Sequence, residues 1–446
     1  LMPNRPEWIA LAFAVWRCGG VLVPLSTLSR PRELAYGLRH ADVEVLVAVR
    51  GFLRHDYVAA LASVREELPR LREVVWLATD IEPLAAPAAD VPAPGPAPGD
   101  PATIFFTSGT TAEPKGVVHA HRALRRAAED TGTVLGLDAA DRTWGYLPFF
   151  FTGGLVAVAL ATLARGGAVV LQEVFEPGET LRLLETERCT VFFAWPHQAE
   201  ALIAHPRFAT TRLALLKGVG ANTKWAARLY PPEHHAVGTY GMTETAPLCT
   251  AWPWDAPLEL RAGSHGPPVA GREIRICDPE GAVLPVGAEG EICVRGPTVF
   301  SHYWRHDPTE CFDADGFFHT GDLGRLDERG ALHFLGRLKD VVKTAGVNVA
   351  AAEVEAVLLA HPAVAAAHVV GVPHPTRGEE VAAFVVPKSA VTGQDLLAHC
   401  RNELATFKVP RHVWLRREHE LPLKASGKVD KSVLREEAAR LVVARG

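Results

Sequence analysis

The chain has 446 residues, of which 48% are hydrophobic and 22% charged, with 38 glycines and 34 prolines. This composition excludes wholesale disorder, and the length predicts roughly two to four domains. The 46 basic and 51 acidic residues give a net charge of −5 without a basic run, so a nucleic-acid partner is not expected.

The cysteines are scattered singly, with no C-x-x-C pair and no cluster with histidine. Their positions are Cys18, Cys189, Cys249, Cys277, Cys293, Cys311 and Cys400. This pattern predicts reduced thiols, with neither a disulfide framework nor a zinc site. No signal-peptide pattern opens the chain, and we expect a cytoplasmic protein.

The first predicted element is a helix capped by Asn4 and ended by Gly19 and Gly20. Its predicted apolar face consists of Ile9, Ala12, Phe13 and Trp16. A strand is predicted at 21–25. Because the chain opens directly in a helix, we expect that the beginning of this domain is missing.

Helices and strands alternate in the next part of the chain. Helices are predicted near 31–39 and 55–67, and strands at 43–49 and 73–78. Strands rich in Val and Leu between helices predict a parallel sheet covered on both faces. Residues 92–100 are rich in Pro and Gly and are typical of a surface connection.

The segment 143–164 carries no charge and is long enough, at roughly 20 residues, to cross a membrane. Pro148, Thr152, Gly153 and Gly154 interrupt it. We therefore predict a buried strand or loop followed by a short core helix, and no transmembrane segment.

Two further regions follow Trp254. Short strands with turn residues predict a small antiparallel β region, with strands at 273–277, 289–294, 324–327 and 331–335. From about Lys339 the pattern predicts a compact α+β unit of roughly one hundred residues. Its predicted elements are helices at 351–360 and 394–404, strands at 364–372 and 380–386, and a terminal helix.

The first chemically distinctive segment follows a short strand at 104–106. It is Thr107-Ser108-Gly109-Thr110-Thr111, closed by Pro114-Lys115-Gly116. Hydroxyls, backbone amides and one ammonium group suit a polyphosphate, although the order is not that of a Walker loop. On composition alone, phosphate binding and an ordinary polar turn are equally good interpretations.

The second segment is Tyr240-Gly241-Met242-Thr243-Glu244-Thr245. Its carboxylate suits a magnesium ion that bridges phosphates. Taken alone, the better interpretation is a capped helix start.

Two later segments place charged groups beside glycines. Phe318 to Gly324 contains Asp322, and Gly336-Arg337-Leu338-Lys339-Asp340 follows it. Near the C-terminus stands Pro422-Leu423-Lys424-Ala425-Ser426-Gly427-Lys428. A lysine on a glycine-containing loop suits a cation delivered to a negatively charged reaction centre, but a surface turn is the more common explanation for each segment alone.

Together, in this order and spacing, these segments closely resemble the acyl-activating superfamily of AMP-forming acyl-CoA synthetases, adenylation domains and luciferases. The resemblance extends from Asn4 to about Lys431. It implies a large α/β domain of parallel sheets with a small β region, 1–338, and a small mobile α+β domain, 339–446.

The resemblance also implies a reaction in two halves. A carboxylate attacks the α-phosphorus of Mg-ATP to give an acyl-adenylate and pyrophosphate, and a thiol, usually coenzyme A, then displaces AMP. The implied cofactors are therefore ATP, Mg²⁺ and coenzyme A. Such an enzyme must neutralise charge at the α-phosphate and align the attacking and leaving oxygens.

Site roles are implied residue by residue for the large domain. The phosphate loop corresponds to Thr107, Ser108, Gly109, Thr110, Thr111 and Lys115. Glu244 and Thr107 match the residues linked to magnesium and to catalysis. The residues expected beside adenine and the α-phosphate are Gly220, Ala221, Asn222, Tyr240, Gly241 and Thr245.

In the later part of the chain, Asp322 and Arg337 match the residues that reach the ribose. Lys428 matches the catalytic lysine that bridges the carboxylate and the α-phosphate. Lys339 matches the hinge of the small domain, while Lys343 and Asn348 lie on the loop expected at the site during thioester formation.

Three positions depart from the pattern of the superfamily. Ala112 replaces a usual glycine in the phosphate loop, which costs about 1 kcal/mol if the site needs positive φ. Phe151 stands where a histidine gates the acyl tunnel. Ala351 replaces a frequent proline before a helix.

The acid is less well specified. The acyl pocket is expected from 149–151, 195–197, 218–220 and 241–242, whose aromatic residues favour an apolar acid. An enzyme that loads a carrier-protein thiol remains an alternative, as does a degenerate nucleotide-binding protein. Luciferase-like oxygenation has no support in the sequence.

Overall fold

The computed structural model describes residues 1–77, 95–107, 114–221, 223–344, 347–374, 378–424 and 428–443. The chain forms two compact units. The first comprises Leu1–Ile274, Val294–His319 and Asp327–His333, and the second comprises Arg275–Cys293, Thr320–Leu326 and Phe334–Gly446. The predicted division into functional domains at 338/339 stays a prediction.

The helices alternate with strands through most of the first unit. Among the described residues, the α-helices are α1 (Pro6–Arg17), α2 (Pro31–His40), α3 (Tyr57–Val64), α4 (His121–Val134), α5 (Ala161–Ala164), α6 (Pro177–Thr186), α7 (Pro196–Ala204), α8 (Ala226–Leu229), α9 (Leu258–Gly263), α10 (Ala351–Ala360), α11 (Gly393–Glu403) and α12 (Lys431–Val443).

Among the described residues, the strands range in length from 2 residues to 11 residues. They are β1 (Val45–Val49), β2 (Gly51–Phe52), β3 (His55–Asp56), β4 (Glu73–Leu77), β5 (Pro101–Thr107), β6 (Lys115–Ala120), β7 (Arg142–Gly145), β8 (Ala168–Val170), β9 (Val191–Phe193), β10 (Lys217–Gly218), β11 (Thr239–Tyr240), β12 (Thr250–Ala251), β13 (Glu273–Cys277), β14 (Gly290–Arg295), β15 (His302–Tyr303), β16 (Phe318–Leu326), β17 (Leu332–Arg337), β18 (Val341–Thr344), β19 (Val347–Ala350), β20 (Val364–His374), β21 (Gly378–Pro387) and β22 (His412–Leu415).

Parallel pairing dominates two sheets of the first unit, as the sequence predicts. Strand β1 pairs in parallel with β4, and a four-stranded parallel sheet has the order β10-β9-β7-β8. Helices lie between these strands along the chain, which is the pattern of a parallel α/β fold. The α/β prediction is confirmed.

A third sheet of the first unit carries the segment rich in hydroxyls. Its order is β15-β6-β5 and both pairings are antiparallel. Strand β6 is buried from Gly116 to Ala120, because its Val117 and Val118 face packed neighbours on both sides of the sheet. Strand β6 therefore fixes the position of the hairpin that it forms with β5.

The uncharged segment 143–164 is buried in the core, as predicted. Strand β7 opens it, and a helix of wider π type at Gly153–Leu160 continues into α5. Every residue from Gly154 to Thr162 is buried. Within the described residues, no helix combines the length and the apolarity that a membrane crossing requires.

The first helix differs from the prediction in its cap and in its buried face. Helix α1 begins at Pro6 and its N-cap is Arg5, which makes no side-chain capping bond. Asn4 is buried; its side chain donates to the Leu147 carbonyl at 2.9 Å and accepts from the Phe149 amide at 2.9 Å. Asn4 thus joins two distant segments, and this long-range pairing outweighs local capping.

The predicted apolar face and the strand after it are also partly wrong. Phe13 is 49% exposed, whereas Trp8 is buried with Ala12 and Trp16. The predicted strand at 21–25 is reduced to a single bridge between Leu22 and Thr103.

The second unit is built on a long antiparallel hairpin. Strands β20 and β21 pair along most of their length, β18 continues the sheet beside β21, and β22 adds in parallel. Helices α10, α11 and α12 complete an α+β unit, which confirms the predicted architecture of this region. A four-stranded sheet of order β13-β14-β16-β17 also has most of its residues here.

All seven cysteines are free thiols, and five of them are buried. Burial raises the pKa of Cys189 and of Cys249 to about 12. These thiols therefore behave as small apolar groups of the core.

Candidate active site

Thr107 and Lys115 lie opposite each other where β5 ends and β6 begins. The Thr107 hydroxyl donates to the Lys115 carbonyl at 3.5 Å. The residues between them that the resemblance assigns to a phosphate loop, Ser108, Gly109, Thr110 and Thr111, lie outside the described residues, as does Ala112. The structure thus describes the two ends of the loop.

Glu244 lies in a single 3-10 turn, Thr243–Thr245. The residue is 5% exposed, and the Tyr303 hydroxyl donates to its Oε1 at 2.9 Å. The Glu244 carbonyl accepts from the Phe300 amide at 2.8 Å. A buried carboxylate held at both backbone and side chain has a fixed orientation.

Thr245 maintains the geometry of this turn. It is fully buried, and its hydroxyl accepts from the Met242 amide at 2.9 Å. The predicted start of a helix is thus reduced to a single 3-10 turn, because Ala246 directly after it has a left-handed backbone conformation. This turn does not conflict with a ligand role for Glu244. Tyr240, on β11, is buried.

Lys115 lies over the same tyrosine that contacts Glu244. Its Nζ is 4.4 Å from the centroid of the Tyr303 ring, within the range of a cation–π interaction. The sequence gives no reason to single out Tyr303, because the residues that it connects are far away in the chain.

His119 is a second residue that no sequence motif marks. It is fully buried on β6, and its Nε2 donates to the Thr243 carbonyl at 2.7 Å. Burial lowers its pKa to about 4, so the imidazole is neutral at pH 7. The one available signal is a histidine inside a strand that is otherwise apolar. We refer to Lys115, His119, Glu244 and Tyr303 as the phosphate-side cluster.

Glycines at two predicted adenine positions have steric reasons for their identity. Gly220 has φ +93°, and a Cβ there would lie 2.5 Å from the Trp225 ring. A Cβ on Gly241 would overlap the Pro247 carbonyl oxygen. Ala221 is buried next to Gly220, and Asn222 lies outside the described residues.

In the second unit, Asp322 and Arg337 form an ion pair. Asp322 is 2% exposed, and the Arg337 Nε lies 2.8 Å from its Oδ1. The Asp322 amide donates to the Thr320 hydroxyl at 3.1 Å, and Arg337 also donates to the Thr320 carbonyl at 3.4 Å. The structure thus brings together the two residues that the resemblance assigns to the ribose.

Lys428 lies on the same short hairpin as Lys424, whose amide donates to the Lys428 carbonyl at 2.8 Å. The Lys428 residue is exposed overall. Its pKa is nevertheless lowered, first by desolvation of the amine and then by repulsion from Arg337 and Lys424.

Lys339 belongs to the same group of cations. Desolvation lowers its pKa, and Lys424, Arg337 and Arg435 add repulsion, while Asp340 opposes the shift. We refer to Arg337, Lys339, Lys424 and Lys428 as the cation cluster. Crowded cations of this kind favour an anionic ligand.

Lys343 and Asn348 are paired across the β18–β19 hairpin. Lys343 is exposed, and its amide donates to a Glu379 carboxylate oxygen at 2.8 Å. The side chain of Asn348 lies outside the described part of the chain. The backbone thus places the two residues side by side, as expected for one loop.

The aromatic residues expected in the acyl pocket form a row in the first unit. The Phe150 and Phe151 rings are 4.5 Å apart, Phe151 lies 6.3 Å from Trp195, and Trp195 stacks 5.8 Å from His197. Phe151, Trp195 and His197 are at least partly exposed. Phe149 is instead fully buried in the core.

Comparisons with known proteins cover almost the whole chain. The sequence profile described as AMP-binding enzyme matches residues 1–304, and the profile described as AMP-binding enzyme C-terminal domain matches residues 353–428. A feruloyl-CoA synthase of Amycolatopsis sp is 35% identical over 443 residues, which cover 98% of this chain and 87% of the relative.

Two further proteins extend the range of the comparison. A sulfoacetate–CoA ligase of Cupriavidus necator is 35% identical and covers 96% of this chain and 85% of its own length. The crystal structure of ATP-bound MatB from Rhodopseudomonas palustris has a TM-score of 0.85 at 31% identity, covering 99% of this chain and 88% of that one.

Proposed function

The chain belongs to the AMP-binding enzyme family, and on that basis we propose that it joins a carboxylic acid to coenzyme A through an acyl-adenylate. An oxygen of the carboxylate attacks the α-phosphorus of ATP, and the bond to pyrophosphate breaks. The sulfur of coenzyme A then attacks the acyl carbon and AMP leaves. One observation carries this proposal: the buried Glu244 carboxylate and the Lys115 ammonium group both contact Tyr303.

In the first half-reaction, Thr107 and Lys115 bind the polyphosphate together with the residues between them. Lys115 balances phosphate charge and Thr107 donates its hydroxyl. Gly220, Ala221 and Gly241 let the backbone approach adenine, since a side chain at Gly220 or Gly241 would collide with its neighbours. We assign Tyr240 and Thr245 to the same part of the site, beside adenine and the α-phosphate.

Glu244 and Thr107 offer a carboxylate and a hydroxyl, and oxygen atoms of this kind are the ligands that Mg²⁺ prefers. We propose that Glu244 and Thr107 hold this ion. When bound, Mg²⁺ neutralises phosphate charge. Glu244 itself stays in place because Tyr303 and the 3-10 turn fix its orientation.

In the second unit, Asp322 accepts from the ribose hydroxyls while Arg337 keeps its carboxylate oriented. Lys428 donates to the α-phosphate and to the attacking carboxylate, where negative charge accumulates. Repulsion within the cation cluster is relieved when these anions bind, because opposite charges then surround the ammonium group.

We further propose that Lys339 is the hinge between half-reactions and that residues 339–446 act as the mobile domain. In the second half-reaction, Lys343 and Asn348 would then face the coenzyme A thiol. Lys343 is exposed and available for such a contact. ATP and coenzyme A are cytoplasmic metabolites, so we propose that the enzyme works in the cytoplasm.

The aromatic row Phe150, Phe151, Trp195 and His197 favours an apolar, ring-containing acid, because aromatic side chains bind such surfaces with defined geometry. The names of relatives do not decide the acid, since the feruloyl and sulfoacetate enzymes are equally identical to this chain.

A panel of aromatic, alicyclic, aliphatic and sulfonated acids tests the proposal, with pyrophosphate and AMP measured with and without coenzyme A. We expect pyrophosphate release that depends on the acid and a thioester that depends on coenzyme A. Release with an adenylate that coenzyme A does not consume would favour a carrier-protein thiol as acceptor. Nucleotide binding without turnover of any acid would favour the degenerate binding protein.

A further inference from the structure

Tyr303 is fixed on the sheet that carries the phosphate-binding residues. Strand β15 pairs with β6, with Tyr303 opposite Val117, and β6 begins at Lys115. The Tyr303 ring packs 4.7 Å from Phe300 and 6.4 Å from Phe318. The tyrosine therefore cannot turn without disturbing an aromatic cluster.

This ring contacts two groups of opposite charge at two different places. Its hydroxyl donates to Glu244 Oε1 at 2.9 Å, and its face receives the Lys115 ammonium group at 4.4 Å. The positive hydroxyl proton suits the anion, and the negative face of the ring suits the cation. One side chain thereby contacts both charges.

We propose that Tyr303 is a positioning residue with two separable tasks. Its hydroxyl orients the Glu244 carboxylate, and its ring binds the Lys115 ammonium group until the polyphosphate binds. The proposal rests on the proposed function. A cation–π contact is weaker than a charge-assisted hydrogen bond to phosphate, so Lys115 leaves the ring when the polyphosphate arrives. The bond to Glu244 persists throughout.

Two variants separate these tasks. Tyr303→Phe removes the hydroxyl but keeps the ring beneath Lys115. Tyr303→Leu removes both. Calorimetric titration with a non-hydrolysable ATP analogue, in EDTA and then at increasing Mg²⁺, reports nucleotide binding and its metal dependence without any turnover.

For Tyr303→Phe we expect the half-saturating Mg²⁺ concentration to rise about tenfold, because Glu244 loses the hydrogen bond that orients its carboxylate toward the metal. Binding of the analogue in EDTA should change by less than about twofold, because the contact of Lys115 is retained. For Tyr303→Leu, which also removes the ring, the metal-free dissociation constant should fall by about fivefold, because binding no longer has to break the contact between Lys115 and the ring.

Tyr57→Phe is the matched control, because it removes a buried phenol hydroxyl of the same unit, bonded to the Thr27 carbonyl at 2.7 Å. It should leave both measurements unchanged. Equal effects of Tyr57→Phe and Tyr303→Phe, or a Tyr303→Phe variant that weakens binding equally with and without Mg²⁺, would overturn the two-task assignment.

The same titrations distinguish this proposal from the proposed function. If the wild-type protein binds the analogue but activates no acid, the ligase proposal fails, and the three variants still decide the role of Tyr303. If the wild-type protein binds no nucleotide, both proposals fail.

Discussion

In the first unit, the charges of the phosphate-side cluster already have partners: the buried Glu244 carboxylate accepts from Tyr303, the half-buried Lys115 lies on the Tyr303 ring, and His119 is neutral. In the second unit, the cation cluster crowds Lys339 and Lys428 with further cations, and the pKa of each lysine is lowered. The first arrangement is complete without a ligand, whereas the second is relieved by an anion. This contrast supports the proposal that the first unit holds a preorganised set of charges and that Lys428 supplies its charge when an anion binds.

Lys428→Ala gives the largest expected effect, because it removes the delivered charge. We expect acid-dependent pyrophosphate release to fall by about 100- to 1,000-fold. Thioester formation from a supplied acyl-adenylate should stay within about twofold of wild type, since no α-phosphate is attacked in that step. Both rates are measured in single-turnover assays.

Lys424→Ala is the control for this variant, because Lys424 lies on the same hairpin as Lys428. Its rates should stay close to wild type. Equal loss of both half-reactions in Lys428→Ala would contradict the role assigned to the lysine. It would also contradict the proposed difference between the phosphate-side cluster and the cation cluster.

Gly241→Ala tests how rigid the first unit is near Glu244. The added methyl group meets the Pro247 carbonyl, so we expect a loss of about 1–3 kcal/mol in the free energy of unfolding and weaker ATP binding. Thermal unfolding and calorimetry measure the two effects. Gly263→Ala, where a Cβ meets nothing within 4 Å, should change neither; wild-type behaviour of Gly241→Ala would show that the first unit is adaptable there.

Lys339→Pro tests whether the cation cluster has to move. Proline fixes φ, so rotation at the proposed hinge is restricted. We expect thioester formation to fall by about tenfold while adenylation changes less than about threefold. Lys339→Ala, which keeps backbone freedom, should affect both steps little, and the opposite order in Lys339→Pro would argue against a hinge here.

Lys424→Met gives the smallest expected effect and sharpens the electrostatic side of the comparison. In its proposed role, Lys428 must be protonated to act on the α-phosphate, so we expect adenylation to be lost as pH rises through its pKa, which lies below the ordinary 10.5. Removing the repulsion from Lys424 raises this pKa and moves the alkaline limb of the pH–rate profile to higher pH. Lys388→Met, an exposed lysine of the same unit, should not move it; a shift to lower pH would contradict the cluster.

Sequence reasoning identifies the elements of the fold whose signals are local. The Pro31 helix, the Ala351 helix and the buried segment at 143–164 all follow from periodicity and turn residues. The predictions for Asn4 and Phe13 are wrong because the environments of these residues come from distant chain segments. Asn4 bonds to residues more than 140 positions away, and no local pattern announces such a partner.

The candidate site divides in the same way. Glu244, Asp322 and Lys428 stand in recognisable motifs, whereas Tyr303 and His119 matter through contacts that span the fold. Tyr303 meets Glu244 from 59 positions away, and His119 meets Thr243 from 124. Motifs thus indicate the groups that we propose to face a ligand, and only the folded chain reveals the residues that contact those groups.

The burial of His119 has a consequence for the behaviour of the whole protein in acid. His265 in the first unit and His368 in the second are also desolvated, and burial lowers the pKa of each of the three imidazoles to about 4 from an ordinary 6.5. Between pH 6.5 and 4, these three imidazoles are therefore protonated in the unfolded chain but remain neutral in the native chain. Native stability is lost as pH falls through this interval, and both units begin to weaken at the same degree of acidification.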